Sequence, residues 1–162
     1  MDTPAVTDLL SLFAEVTIGI AGFSAIVLAV RGKSVYNAQN RDVFIGMLVH
    51  CSQALLYSIL PMVCLLIFPA AKVWFWLTLI AAGFTTLHML GVLIQEWKRG
   101  WGVRIGSFIE ATLGVLLLIN LSTEWSPAAH VYPVAPFIHL FQSFLLFLSM
   151  LIQSPSSTPS EN

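Results

Sequence analysis

Positive charge is missing from every long apolar stretch of this chain: its seven lysines and arginines all stand outside the runs near 8–30, 43–69, 73–95, 105–123 and 131–153. Charge of either sign is scarce, at 9% of 162 residues, where a soluble domain carries roughly 25%. That scarcity excludes an ordinary water-exposed surface. No basic cluster is present and the formal charge is −1, so binding to nucleic acid has no electrostatic footprint. Also missing are a Gly-x-Ser-x-Gly elbow, a Walker loop, a His-Glu-x-x-His zinc motif and a dinucleotide fingerprint after a strand. The stretch GIAGFS at 19–24 sits inside an apolar run and reads as a packing element. Enzymatic activity is therefore not the leading expectation. An intramembrane acid–base pair of His and Glu stays an alternative without a nameable nucleophile. Cysteine is sparse too: Cys51 and Cys64 lie thirteen residues apart in one run, about 20 Å along a helix, too far to pair.

What the chain does have is length in its apolar runs. A bilayer core of about 30 Å is crossed by about 20 apolar residues in helical form, and all five runs meet or approach that length. The expectation is an all-α integral membrane protein, a five-transmembrane-helix bundle forming a single domain over residues 1–153. Residues 154–162, SPSSTPSEN, lack apolar side chains and read as a disordered tail. In the fifth run Pro133 and Pro136 lie near the start, and a helix beginning at Pro136 would avoid losing an internal donor.

The connections fix an expected orientation. Arg31, Lys33 and Arg41 lie between the first two runs, and Lys98, Arg99 and Arg104 between the third and fourth, while the remaining connections hold only Lys72. Positive residues are retained on the cytoplasmic side. The N-terminus is thus expected outside and the C-terminus in the cytoplasm, with Trp74, Trp76 and Trp125 at the outer interface and Trp97 and Trp101 at the inner one. The acidic opening MDTPAVTDLL has no basic segment, which predicts that the first run is retained as a helix.

The first run carries a small-residue stripe, Gly19, Gly22, Ala25 and Ala29, at helical spacing, with Glu15 one turn before it on the same face. Small residues let helices approach closely in lipid, so the stripe marks a helix contact. Either it packs within one subunit or it joins subunits, and in the second case Glu15 would repeat as a ring of carboxylates that attracts cations.

The other runs each carry a polar seam: Gly46, His50, Gln53, Tyr57 and Pro61 in the second; Thr85, His88 and Gln95 in the third; Ser107, Glu110 and Gly114 in the fourth; His139, Gln142, Ser149 and Gln153 in the fifth. Counting ~1.5 Å per residue from the inner ends places His50, His88 and Glu110 at roughly 9–15 Å and Glu15, Tyr57, Asn120 and His139 at roughly 21–24 Å. Two polar layers are expected. Mutual hydrogen bonding between seams accounts for the neutral residues. A charged residue at mid-membrane costs about 2.5–3.5 kcal/mol, so Glu15 and Glu110 must be protonated, paired with His, exposed to water or bound to a cation.

Function follows as an expectation. Glu15, His50, Gln53, His88, Glu110 and His139 are candidates for an ion or proton pathway, with histidine suited to gating because it titrates near neutrality. A self-assembling, ion- or proton-translocating or pore-forming subunit is the leading reading. A non-catalytic structural or regulatory subunit docking a membrane or cytoplasmic protein is the alternative. No cofactor is expected in the leading reading; a b-type haem between His50 and His88, or a divalent metal on His50, His88 and Glu110, are further alternatives. The first run, LFAEVTIGIAGFSAIVLAV, and the Arg-led second run ending in Leu60-Pro61 resemble stretches of small bacterial membrane proteins. The resemblance implies no activity and carries over no functional residue; the expected location is the bacterial inner (plasma) membrane.

Overall fold

The computed structural model describes residues 3–31, 38–95, 101–123 and 126–152, all within or between helices. The elements are α1 (Thr3–Arg31), α2 (Ala38–Leu65), α3 (Ala70–Gln95), α4 (Trp101–Thr123), the single turn α5 (Ala128–Val131) and α6 (Val134–Ile152). The expected tail 154–162, Gln153, Lys33, Trp97, Lys98, Arg99 and Trp125 lie outside the described residues, as do the side chains of Arg31, Gln95, Trp101, Arg104 and Ser107.

Four helical stretches are long and apolar enough to cross a membrane: Pro4–Val27, Val43–Leu65, Ala70–His88 and Ala128–Ser149. The fifth expected run, 105–123, falls within the helix α4, Trp101–Thr123. In α4 the apolar section among the described residues is only Phe108–Thr123.

α2 runs antiparallel to α6, since Gly46 faces Leu146 while Tyr57 is reached by Tyr132. α3 pairs closely with α4, and α2 packs along α6 and α1, whereas contacts between these two groups are sparser. One end of the bundle holds an apolar cluster built from Leu10, Val73, Trp74, Leu77, Leu117 and Tyr132. Towards the other end, where the basic loops join the helices, Met47, Cys51 and Phe147 form a second cluster. The burial pattern is inverted relative to a soluble protein. Large apolar side chains such as Ile18, Phe23, Leu87 and Phe108 are exposed, while Thr17, Ser24, Thr85, Glu110, His139 and Ser143 are buried.

Two prolines explain local geometry. Pro136 falls in the first turn of α6, where a helix needs no donor, so the helix starts at Val134 and not at Pro136. Pro61 stands inside α2 and leaves the carbonyl four residues earlier, on Tyr57, without its helical donor. The Tyr132 hydroxyl supplies the missing bond, donating to Tyr57 O at 2.8 Å. Sequence order thus ties α2 to the segment entering α6. Tyr132→Phe is expected to lower stability by about 1–3 kcal/mol, the cost of a buried polar group left unbonded, read as a lower midpoint of thermal unfolding in detergent. Combining it with Pro61→Ala restores a main-chain donor, so the double variant should lose less than the sum of the two; additivity would show that the two positions do not share this carbonyl.

Candidate functional site

The sparse seam between the α3–α4 pair and the α2–α6 pair is where the ionisable side chains meet. α2 contributes His50, α4 contributes Glu110 and α6 contributes His139, with one ligand atom of each lying within 4.8 Å of the other two. The histidine Nδ1 atoms are 3.3 Å apart, and their rings are nearly parallel, with 5.6 Å between centroids. Glu110 is 1% exposed and His139 fully buried. Tyr57 stacks obliquely on His139 at 5.4 Å.

Each ligand is positioned by packing that its own helix provides. Gly114 lies one turn beyond Glu110 on the same face of α4, and its bare Cα abuts Thr86 and the Ala82 carbonyl of α3. The α3–α4 contact therefore turns Glu110 inward. Gly46 lies one turn before His50 and meets Leu146 of α6, bringing the second and sixth helices together beside the paired histidines. Pro136, buried one turn before His139, fixes the opening of α6.

Polar atoms at this level are left without hydrogen-bond partners among the described residues. They include both Glu110 carboxylate oxygens, His139 Nε2, His88 Nδ1 and the Oε1 atoms of Gln53 and Gln142. Buried polar groups are nearly always paired. Two facing Nδ1 atoms can satisfy each other only if one carries the proton and donates to the other's lone pair. Alternatively, both lone pairs and the carboxylate can point at one cation.

Several expectations change. Two layers were expected; His139 and Tyr57 instead join His50 and Glu110 in one. α2 begins at Ala38, five residues ahead of its apolar section, which starts at Val43 as expected. His88 is within electrostatic reach of both paired histidines, but its ring stacks on Phe84 at 5.8 Å, and the compact triad contains His139 in its place. Asn120 belongs to a loop closure: it donates to Ser126 O and accepts from Ser126 N, both at 2.9 Å. Glu15 is exposed on the outer face of α1, with Gly19, Gly22, Ala25 and Ala29 also exposed. A Cβ at Gly19 or Gly22 would meet nothing within 4 Å, so this stripe does not pack within the bundle. The buried side of α1 is another stripe, Val6, Leu10, Ala14, Thr17 and Ser24.

No family model, curated protein or solved structure matches this chain. The ligand geometry has to carry the functional argument alone. One sequence signal for the triad was available: His-x-x-Gln occurs at 50–53 and again at 139–142. The two copies sit on antiparallel helices that pack together, which sets the histidines face to face with a glutamine one turn to either side.

Proposed function

We propose that this is a multi-pass membrane protein that takes a cation or proton into the middle of its bundle and translocates it through the layer formed by His50, Glu110 and His139. The convergence of those three side chains from three helices carries the reading, with Glu110 and His139 buried and both Glu110 carboxylate oxygens without a hydrogen-bond partner among the described residues. Polar groups inside and large apolar groups outside are what lipid as solvent requires, and the basic connections support a cytoplasmic position for that end. His88, within electrostatic reach of both paired histidines, and the buried Oε1 atoms of Gln53 and Gln142 add polar groups beside the triad. Towards the opposite end the apolar cluster around Trp74, Leu77 and Tyr132 closes the layer. Passage therefore uses a change of packing and not an open pore through one subunit. Proteoliposomes carrying the purified protein should dissipate an imposed proton or metal gradient faster than empty vesicles; equal rates would remove translocation from the reading.

Self-assembly through the outer face of α1 belongs to the same proposal. An exposed Glu15 within the Pro4–Val27 span is costly against hydrocarbon, and the bare glycines after it allow a second helix to come close. Gly22→Leu has space around it in the isolated bundle, so its fold should persist while the assembled species shifts to smaller mass by light scattering in detergent. An unchanged mass would place any subunit contact elsewhere.

A further inference from the structure

We infer that the cation is a divalent transition metal of the Zn2+, Fe2+ or Mn2+ class, held by His50 Nδ1, His139 Nδ1 and the Glu110 carboxylate. This rests on the reading of the polar layer as a cation site and names what it takes. The distance is the first argument. Two imidazole nitrogens bound at about 2.0–2.1 Å to one tetrahedral ion stand about 3.3–3.4 Å apart, and the two Nδ1 atoms stand at 3.3 Å. The carboxylate is already close, with the three ligand atoms within 4.8 Å of one another, so a small side-chain rotation completes a three-ligand set.

Donor chemistry narrows the ion. Two imidazoles and one carboxylate are poor ligands for sodium, potassium or calcium, which prefer all-oxygen shells, and the absence of thiolate or thioether from the set disfavours Cu+. Cys51 neighbours His50 in sequence but belongs to the cluster with Met47 and Phe147. Three protein ligands leave at least one coordination position for water or an exchanging ligand, which suits a site that loads and releases. Charge is balanced as far as three ligands allow, since one ionised carboxylate offsets half of a divalent charge in a buried place.

Acceptors for the outer ring nitrogens stand one turn away on each helix, while His139 Nε2 and Gln142 Oε1 are not bonded to each other in this structure. A metal-bound imidazole holds its orientation by donating its remaining ring N–H to an acceptor. Once Nδ1 is committed to the ion, Nε2 carries that proton. Gln53 approaches His50 on one helix, and Gln142 occupies the equivalent place after His139, its Oε1 buried and unpaired.

The test uses the full chain purified in detergent, stripped with chelator and titrated with Co2+, whose visible d–d absorption reports coordination by nitrogen and oxygen donors. The expected result is saturable binding of one Co2+ per chain, displaced by Zn2+, and weakened at least tenfold in His50→Ala, His139→Ala and Glu110→Gln. Glu15→Gln, on the exposed face of α1, should retain wild-type affinity. No saturable Co2+ signal from the wild-type protein would overturn the inference, whatever the variants do. Binding that survives His139→Ala but is lost in His88→Ala would overturn the assigned ligand set. If wild type binds no Co2+ yet vesicles still conduct protons, the metal assignment fails and translocation stands. Stoichiometric binding without flux keeps the metal site and rejects translocation.

Discussion

Gly114→Leu should separate α3 from α4 and cost the protein most of its folded population. A Cβ at this position meets Thr86 Oγ1, the Ala82 carbonyl oxygen at 3.1 Å and the Thr86 amide nitrogen at 3.2 Å. The threonine side chain can rotate away. The two main-chain atoms belong to a helix and cannot, so even Gly114→Ala forces the helix axes apart. Overpacking of this kind costs about 1–3 kcal/mol for small additions, and leucine adds three more carbons to the same gap. Against a total stability of about 5–15 kcal/mol, alanine should lower the unfolding midpoint measurably and leucine should leave little folded protein at ambient temperature. Gly22→Leu is the matched control, because the same side chain there has open space. Similar midpoints for the two leucine variants would show that α3 and α4 do not cross at Gly114. Function is linked to the same contact: Glu110 lies one turn away, so displacement by alanine should weaken whatever the triad binds before the bundle unfolds.

Much of the architecture was readable in the chain because hydrophobic length is a one-dimensional property. The runs around α1, α2, α3 and α6 emerge as helices, and the short Pro69 turn between α2 and α3 follows from breaker residues. What a linear pattern cannot carry is azimuth. The stripe Gly19, Gly22, Ala25, Ala29 and the stripe Val6, Leu10, Ala14, Thr17, Ser24 both have helical spacing, and only the tertiary arrangement shows that the second is buried. The same ambiguity exchanged His88 for His139. Both are candidates by type and by approximate depth, and the choice depends on α6 packing more closely than α3 against α2. Glu110 was identifiable from its cost in an apolar run, since that argument needs burial and no direction. The bond from Tyr132 to the Tyr57 carbonyl was half visible, because Pro61 announces an acceptor without a donor but does not name the donor.

Glu110→Gln is expected to abolish cation-dependent flux in proteoliposomes while leaving the helical fold intact. The amide matches the carboxyl in size, so packing against α3 is preserved. Its chemistry differs in the one respect that matters here: it neither carries the negative charge that balances a bound cation nor exchanges a proton. Leaving a buried charge without its partner costs about 3–5 kcal/mol, which corresponds to a loss of roughly 100-fold or more in occupancy. Stability should not fall with it. Both carboxylate oxygens lack hydrogen-bond partners among the described residues, so the folded protein gains nothing from the ionised form that a neutral amide would forfeit. A variant that melts no lower than wild type yet conducts at the rate of empty vesicles is the signature of a residue kept for function at the expense of stability. Glu15→Gln provides the contrast. Its carboxylate is on the outer face of α1, away from the triad, and flux through the bundle should continue at the wild-type rate. The reverse outcome, flux lost with Glu15→Gln and retained with Glu110→Gln, would move the pathway out of the bundle and onto an axis between subunits lined by the small-residue face of α1.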